Sequence, residues 1–311
     1  MSVQVSNLSK IYGTQKAVNN ISFEAIEGEI LGFLGPNGAG KTTTMKILTC
    51  FIPPSNGTAS VCGFDVQQAP MEVRRAIGYL PEHNPLYADM YVRESLEFIA
   101  RLHQLGKNTR SRIDEMIHLT GLEREQKKHI GQLSKGYRQR VGLAQAMIHN
   151  PRVLILDEPT SGLDPNQLAE IRNVIKTLGK EKTVILSTHI MQEVQALCNR
   201  VIILDRGQIV ANDLTQNLQH RSQAKTTVIA EFTPNPKPAN LQLIPHVGRV
   251  EQLGAKWRLY PDAEYDLRPD IFRFAIQNNL TLLTLLQEES SLEDVFRQLT
   301  AGREEQPQPA V

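Results

Sequence analysis

Apolar and polar positions alternate in the first part of the chain, with the period of a half-buried strand. Val3 and Val5 follow this alternation, and Ile21–Ala25 repeats it. The compact apolar run Glu29–Leu34 then leads into a glycine-rich loop, and Thr42–Thr49 has a helical pattern. We predict an antiparallel β-layer, followed by a strand, loop and helix in the order that a phosphate-binding loop requires.

Residues 70–130 have a mainly helical pattern, with apolar positions on one face of residues 92–99. After Leu133, helical and apolar strand segments alternate, which predicts a mainly parallel α/β sheet. The predicted helices are Val141–His149, Gln167–Leu178 and Met191–Leu197, and the predicted strands are Val153–Leu156, Thr183–Ser187 and Val201–Leu204.

The composition changes near residue 220, where three prolines interrupt a polar segment. We predict a first domain over residues 1–220 with a helical subdomain at about 85–145, a small α+β domain over 221–302, and a disordered tail over 303–311. In the small domain, the predicted strands are Thr227–Phe232, Lys256–Tyr260 and Leu280–Leu286, and the predicted helices are Ile271–Gln277 and Leu292–Leu299.

Bulk composition narrows the classes of protein that need considering. The net charge of +1 gives no electrostatic footprint for nucleic acid. Three scattered cysteines suit a reducing cytoplasm better than a disulfide framework. The N-terminus lacks the apolar core of a signal peptide, and no stretch approaches the roughly 20 apolar residues that span a bilayer. We therefore expect a cytoplasmic chain that reaches a membrane only through a partner.

The glycine-rich loop matches the phosphate-loop pattern G-x-x-x-x-G-K-[ST]. Gly38 and Gly40 let successive N–H groups converge on phosphate oxygens, Lys41 adds a positive charge, and the Thr42 hydroxyl can ligate Mg²⁺. The helix that follows directs its positive end at the anion. A chance turn before a helix is the alternative for this motif alone. The nucleotide-binding residues predicted here are Gly35, Pro36, Asn37, Gly38, Ala39, Gly40, Lys41, Thr42 and Thr43.

A second candidate motif is the apolar strand Val153–Leu156, which ends in Asp157 and Glu158. A buried strand places such terminal carboxylates at the sheet edge where ligands bind. Asp157 is predicted to hold Mg²⁺ through water, and Glu158 to activate the attacking water as a general base. Taken singly, two acids after a strand are more often a cap for the next helix.

A third candidate motif lies at Leu133–Arg140, ahead of a helical segment. Ser134 and Gly136 are small enough for close backbone approach, and a hydroxyl with free N–H groups at a helix start forms an anion site. An ordinary serine cap is the alternative for this motif alone.

Together, these motifs resemble the ABC ATPase family over roughly residues 1–220. The resemblance implies a P-loop NTPase fold of the ABC ATPase type, with the antiparallel β-layer and helical subdomain described above and a small C-terminal α+β appendage. The matching segments are the phosphate loop Gly35–Thr43, the signature Leu133–Tyr137, the acidic strand Val153–Glu158, the loop Ser161–Asp164 and the switch segment Ser187–His189.

The resemblance also implies a head-to-tail pair of subunits, in which Ser134 and Gly136 of one face the ATP held by the other. It implies that His189 contacts the γ-phosphate, that Asp164 lies in the loop through which the subunits communicate, and that Tyr12 stacks on adenine. Each residue alone has an ordinary alternative: a capping or core histidine, a turn aspartate, and a half-buried strand tyrosine.

Two departures from the family pattern affect the site. Lys135 and Tyr137 flank Gly136 where the family usually has glycine and glutamine. Glu82, in the segment Gly78–Glu82, stands where the family usually has glutamine. A carboxylate accepts hydrogen bonds and ligates cations but cannot donate. We hypothesise that Glu82 still senses Mg²⁺ and the catalytic water, and the expected metal ligands are Thr42, Glu82 and Asp157.

Three functions explain these motifs to different degrees. The ATPase subunit of a transporter with separate permease chains fits all motifs. A soluble ABC-type ATPase of DNA repair or translation would normally show a long coiled coil or two tandem nucleotide domains. Assignment as a kinase or GTPase would not explain the segment Leu133–Tyr137 or His189. We therefore expect an ATP- and Mg²⁺-dependent ATPase, paired with a copy or a paralogue, peripheral on the inner face of the membrane.

Within transporters, the sequence resembles ABC-2 type ATPases, generally exporters, at Ile77–Glu82, Leu133–Gln145 and Ser291–Phe296. Its resemblance to gliding-motility ATP-binding subunits of Bacteroidetes lies mainly in Leu133–Gln167. The segment Glu82–Glu97 corresponds to the family's permease-docking region, and its apolar side chains either form that surface or pack locally. These side chains are His83, Pro85, Leu86, Tyr87, Met90 and Tyr91.

Overall fold

In the computed structural model, which describes residues 1–218, 227–263 and 265–288, the first of two units is Met1–Thr215 and the second begins at Gln216. The strands of the first unit are β1 (Val3–Tyr12), β2 (Gln15–Ala25), β3 (Ile30–Leu34), β4 (Asn56–Val61), β5 (Phe64–Asp65), β6 (Ile77–Leu80), β7 (Val153–Asp157), β8 (Thr183–Thr188), β9 (Arg200–Asp205) and β10 (Gln208–Leu214). Its α-helices are α1 (Lys41–Leu48), α2 (Pro70–Ala76), α3 (Val92–Leu102), α4 (Thr109–Leu119), α5 (Lys135–Met147), α6 (Pro165–Leu178) and α7 (Met191–Leu197).

Two sheets form the framework of this unit. The first is antiparallel with strand order β2-β1-β4-β5, and it confirms the predicted β-layer. The second has the order β10-β9-β3-β8-β7-β6 and is parallel except for β10, which pairs antiparallel to β9. The predicted alternation of helices and parallel strands is thus also confirmed.

The edge strand β6 corrects the prediction that residues 70–130 are mostly helical. Ile77 and Leu80 are buried, and β6 pairs with β7 in parallel. Four residues are too few to show a period, so the helical pattern on either side hid the strand. The helical subdomain also has no α-helix between Leu80 and Val92.

Register places the ends of the central strands at one edge of the sheet. Leu34 at the end of β3 pairs with Thr188 of β8, and Asp157 at the end of β7 pairs with Ser187. Parallel strands end at the same edge, so the residues that follow β3, β7 and β8 meet there.

A continuous apolar core joins the antiparallel sheet, α1 and the parallel sheet. Phe23 of β2 meets Phe33 of β3 edge-on, with ring centroids 5.0 Å apart. Met45, Ile47 and Leu48 of α1 are fully buried in the same core. This packing fixes the start of α1, and with it the glycine-rich loop, against the ends of the strands.

Helices α3, α4 and α5 pack together as the helical subdomain. The buried residues of α3 recur at helical spacing, and Ser134 caps α5 by accepting a hydrogen bond from the Tyr137 N–H. His103 and His149, which follow α3 and α5, stack face to face with ring centroids 3.7 Å apart. The His149 Nε2–H donates to the carbonyl of Ile77, which ties this region to β6.

Over residues 227–263 and 265–288, the elements of the second unit are β11 (Thr227–Thr233), α8 (Pro238–Leu241), β12 (Val247–Leu253), β13 (Lys256–Pro261), α9 (Arg268–Gln277) and β14 (Thr281–Glu288). This β-α-β-β-α-β order surrounds one antiparallel sheet, β12-β13-β11-β14, an arrangement of the ferredoxin-like type. Three predicted strands and the helix near 271–277 are confirmed, whereas β12 and α8 were not predicted. The predicted helix Leu292–Leu299 and tail from Arg303 lie outside the described residues.

The helices of this unit cover one face of its sheet. Trp257 and Leu259 of β13 and Ile271 of α9 are fully buried in the resulting core. Across residues 1–218, 227–263 and 265–288, no helix combines the length and the apolar character needed to cross a membrane.

The stacked histidines make stability depend on pH. Burial, then the neighbouring charge of His103, lowers the pKa of His149 to about 4. The unfolded chain takes up this proton below about pH 6.5, so between these values it holds more protons than the folded chain. The contribution to stability is therefore complete above pH 6.5 and is lost as the pH falls through 4, by about 1–3 kcal/mol once solvent screening of the half-buried ring is included.

The variant His149→Gln keeps a donor for the Ile77 carbonyl and does not titrate. We expect its free energy of unfolding to fall less than that of the wild type between pH 7 and pH 4.5, as measured by urea unfolding. Parallel pH dependences in the two proteins would contradict the assignment to His149.

Candidate functional site

A cavity of about 670 Å³ opens at the edge where the central strands end. It brings the phosphate loop together with residues from four other parts of the first unit. The residues that line it are Tyr12, Gln15, Ala17, Asn37, Gly38, Ala39, Gly40, Lys41, Thr42, Thr43, Glu82, Glu158, Ser161 and His189.

The loop adopts a backbone that only glycine accepts easily at two positions. Gly38 has φ +81° and Gly40 has φ +105°. A side chain at Gly40 would also place its Cβ 2.5 Å from the carbonyl oxygen of Ala17. Gly40 is the N-cap residue of α1, so the loop delivers the chain into the helix with free N–H groups facing the cavity.

The ammonium group of Lys41 is held inside this loop. Its Nζ donates to the carbonyls of Gly35, at 2.7 Å, and Pro36, at 3.2 Å. Glu158 Oε1 lies 3.8 Å from the same Nζ. Burial lowers the pKa of Lys41 from its ordinary value, and the negative charges of Glu158, Asp157 and Glu82 oppose that change. An anionic ligand would favour the charged amine further.

Asp157 ends β7 with a fully buried carboxylate. Its Oδ1 accepts hydrogen bonds from the hydroxyls of Ser187 and Thr42, the latter at 3.3 Å. Its Oδ2 has no hydrogen-bond partner. A buried, unpaired carboxylate oxygen beside a threonine hydroxyl suits a hard divalent cation such as Mg²⁺, directly or through water.

Glu158 and His189 lie side by side in the wall of the cavity, within hydrogen-bond distance of each other. The His189 Nδ1 lies 3.0 and 2.9 Å from the two carboxylate oxygens of Glu158. Glu158 is buried and has φ +50°, a left-handed conformation that is strained for a residue with a side chain. Its N–H donates to the carbonyl of Ser187, and its carbonyl accepts from the N–H of Ser161. These backbone bonds hold the strained residue in place.

Two further predicted residues lie around the mouth of the cavity. Tyr12, at the end of β1, is 49% exposed, and the ammonium of Lys10 lies 5.3 Å from its ring centroid. Its ring is thus open to a flat partner. Glu82 is exposed and lines the cavity between the central strands and the helical subdomain.

Ser134, Gly136 and Asp164 do not line the cavity of their own chain. Ser134 and Asp164 are the N-cap residues of α5 and α6. Gly136 is buried against Gln167, whose Oε1 would lie 2.1 Å from a Cβ at that position. Lys135 extends its ammonium to the neighbourhood of Gly162, in the loop before Asp164.

Sequence reasoning missed two residues of the cavity, Gln15 and Ala17 of β2, and it named Ser161 and Ser187 only as parts of family motifs. Ser161 lines the cavity, and Ser187 bonds to Asp157. The strand hairpin after Tyr12 carries no motif that would have pointed to Gln15 or Ala17. The hydroxyl of Ser187, placed at the end of a predicted parallel strand beside Asp157, was a usable signal.

The chain is similar to known proteins both in sequence and in fold. The ABC transporter family model matches residues 18–161. The bacitracin transport ATP-binding protein BcrA of Bacillus licheniformis is 34% identical over 307 residues, covering 96% of this chain and 97% of that protein. The chain belongs to the family of ABC transporter ATP-binding subunits.

Another relative is the Nod factor export ATP-binding protein I of Burkholderia thailandensis, 34% identical over 306 residues and covering 98% of both chains. Among solved structures, the dimeric post-hydrolysis state of the ATP-binding cassette MJ0796 bound to ADP and Pi matches with a TM-score of 0.64 at 27% identity, covering 68% of this chain and 98% of that chain. An ATP-binding subunit of an ABC transporter matches with a TM-score of 0.66 at 28% identity, covering 71% and 93%.

These similarities confirm the predicted fold class and the predicted reaction class. The protein is an ABC ATPase that binds ATP and hydrolyses it. Its relatives are ATP-binding subunits of transporters, so the transporter prediction is confirmed at that level.

The glycine requirement of the loop yields a test. Gly40→Ala combines a strained φ with the close carbonyl of Ala17, so we expect a stability loss of about 1–3 kcal/mol and weaker ATP binding. Gly63→Ala is the matched control, because Gly63 has φ +84° in open space at the β4–β5 turn. It should cost about 1 kcal/mol of stability and leave ATP binding intact.

Thermal unfolding and titration with a fluorescent ATP analogue measure the two effects. Equal nucleotide affinity in Gly40→Ala and Gly63→Ala would contradict a glycine requirement at position 40.

Proposed function

We propose that this ATPase powers export through integral membrane permease subunits on separate chains. The observation that carries the ATPase part of this proposal is the grouping of Lys41, Glu158 and His189 around one cavity at the end of the phosphate loop. The names of the relatives, bacitracin transport and Nod factor export, support export as the process that the ATPase drives.

In the proposed binding mode, the ATP phosphates lie in the loop Gly35–Thr43 and the adenine stacks on the exposed ring of Tyr12. The Lys41 ammonium, now shared between two loop carbonyls and Glu158, is placed to contact the β- and γ-phosphates. Because Lys41 is buried, water screens its charge less, and its electrostatic attraction to the phosphates is stronger.

Mg²⁺ fits the residues present. Thr42 and Asp157 would hold the ion, with Glu82 at the cavity wall as a further candidate ligand. The unpaired Oδ2 of Asp157 supports this fit. When bound, the ion would neutralise charge on the β- and γ-phosphates.

Glu158 is the proposed general base, because its carboxylate lines the cavity 3.8 Å from the Lys41 ammonium, whereas the Asp157 carboxylate is bonded to Thr42 and Ser187. The His189 N–H donates to this carboxylate and holds it in one orientation. The reaction is transfer of the γ-phosphoryl group to water, with the water proton passing to the Glu158 carboxylate.

A second subunit, a copy or a paralogue, is proposed to complete the site. Ser134 and Gly136 lie outside the cavity of their own chain, and the free N–H groups at the start of α5 suit an anion held by another chain. The solved dimeric cassette MJ0796 with ADP and Pi supports pairing as the working state. Asp164, beside this helix start, is the proposed point of communication between the two chains.

The aromatic surface around Tyr87 and Tyr91 is the proposed contact with the permease. Tyr87 packs edge-on against Phe98, and Tyr91 stacks on His129 with centroids 4.0 Å apart. The two tyrosines nevertheless remain 60% and 46% exposed, so local packing leaves an apolar face for a partner. Docking there would place the chain on the inner face of the membrane, held by its permease.

A narrower proposal is that the exporter serves gliding motility. Its support is the resemblance of Leu133–Gln167 to gliding-motility subunits. The relatives reported above are instead named for bacitracin transport and Nod factor export. A neighbouring gene for a multi-span permease of known cargo would decide which process the exporter serves.

The base role of Glu158 has a direct test. Glu158→Gln keeps the shape of the side chain but cannot accept the water proton. We expect ATP binding to persist, kcat to fall at least about a hundredfold, and ATP-bound dimers to accumulate. Glu72→Gln changes an exposed glutamate of α2 and is the matched control, with wild-type turnover expected.

Phosphate release and size-exclusion chromatography with ATP measure turnover and pairing. Wild-type turnover in Glu158→Gln would remove Glu158 from the role of base.

A further inference from the structure

A buried carboxylate lies beside the site without belonging to it. Glu193, on α7, has 0% of its surface exposed. The hydroxyl of Thr160 donates to its Oε1, and the hydroxyl of Thr188 donates to its Oε2, the latter at 2.6 Å. Both carboxylate oxygens are therefore occupied by donors from two separate segments, the turn after β7 and the end of β8.

These two segments carry the proposed catalytic pair. Thr160 lies two residues after Glu158 and directly before the loop Ser161–Asp164, and Thr188 directly precedes His189. The Ile190 N–H donates to the Thr188 oxygen at 3.0 Å, which leaves the Thr188 proton for Glu193. The Glu193 carboxylate therefore accepts hydrogen bonds from both threonine hydroxyls.

We propose that Glu193 is a positioning residue for ATP hydrolysis. Its carboxylate ties the segment of Glu158 to the segment of His189, and so holds the imidazole against the carboxylate. This inference rests on the proposed function, because it requires Glu158 and His189 to act on the attacking water.

Packing alone does not explain an acid at this position. A carboxylate is costly to bury unless its oxygens are satisfied, and an apolar side chain of similar size would fill the space without that cost. The other buried residues of α7, Met191, Val194 and Leu197, are apolar. Glu158 has the strained φ of +50°, which persists only where its surroundings hold it. Glu193 supplies part of that support through Thr160.

The same network gives the loop Ser161–Asp164 a mechanical connection to His189. Thr160 begins this loop, so a displacement of the loop by the paired chain is passed through Glu193 to Thr188. The proposed subunit contact at Asp164 would then influence how His189 meets Glu158.

The first test is Glu193→Gln. An amide has one acceptor oxygen where the carboxylate has two, so one of the two threonine hydroxyls loses its acceptor. We expect kcat to fall about tenfold or more while the dissociation constant for ATP stays within about twofold. Asp270→Asn is the matched control, because it neutralises another buried acid, in the second unit, and should leave both constants unchanged.

The second test removes the donors one at a time. Thr160→Val and Thr188→Val should each lower kcat, whereas Thr160→Ser, which keeps the hydroxyl, should restore it. Thr120→Val is the control for loss of a buried threonine hydroxyl, since the Thr120 hydroxyl donates to the carbonyl of Met116 in α4 and lies outside the cavity. These variants keep the proposal testable if Glu193→Gln fails to fold.

A double-mutant cycle separates positioning from general stability. If Glu193 acts in part through His189, Glu193→Gln should lower the single-turnover rate less in a His189→Ala background than in the wild type, and only the loss from its support of Glu158 through Thr160 should remain. Equal losses in both backgrounds, or wild-type kcat in Glu193→Gln and Thr160→Val, would overturn the inference. An active Glu158→Gln would instead overturn the proposed function, so the two failures are distinguishable.

Discussion

The site depends on one buried electrostatic arrangement, the Lys41 ammonium facing the carboxylates of Glu158 and Asp157. These charges come from parts of the chain more than a hundred residues apart, and each is nearly inaccessible to solvent. They are tolerated because loop carbonyls and hydroxyls satisfy them in part. The arrangement leaves Lys41 able to bind a further anion and Asp157 Oδ2 able to bind a cation.

The fold supplies this arrangement through strand order. Strands β3, β8 and β7 are neighbours and parallel, so the phosphate loop, the segment of His189 and the acids after β7 leave the sheet side by side. The core beneath α1 fixes the start of that helix, and the backbone bonds of Glu158 hold a conformation that is unfavourable in isolation. Rigidity at the sheet edge is thus a condition for the chemistry.

Local signals made much of this predictable from sequence. The loop from Gly35 has a spacing of glycines, lysine and threonine that is specific to phosphate-binding loops. The continuous apolar strand that ends in Asp157 and Glu158 also has a recognisable pattern. The strand β6 was hidden because it is short and lies between helical segments. The role of Glu193 was hidden because an acid in a helix usually faces solvent, and only the tertiary structure brings two threonines to it.

The placement of Ser134 was predictable only in part, because the chain that it would face is another copy or a paralogue. Its position as the cap of α5 follows from sequence, but its distance from the cavity of its own chain follows from the fold. We therefore propose that one chain carries both halves of a composite ATP site and that pairing joins them.

Mixing two inactive variants tests that claim most directly. Lys41→Ala disables the phosphate loop, and Ser134→Arg blocks the helix start that would face the ATP of the other chain. Each variant alone should hydrolyse ATP poorly, and their mixture should regain activity in proportion to the mixed dimers, since each mixed dimer contains one intact composite site. A mixture no more active than its components, with mixed dimers demonstrably present, would contradict the account.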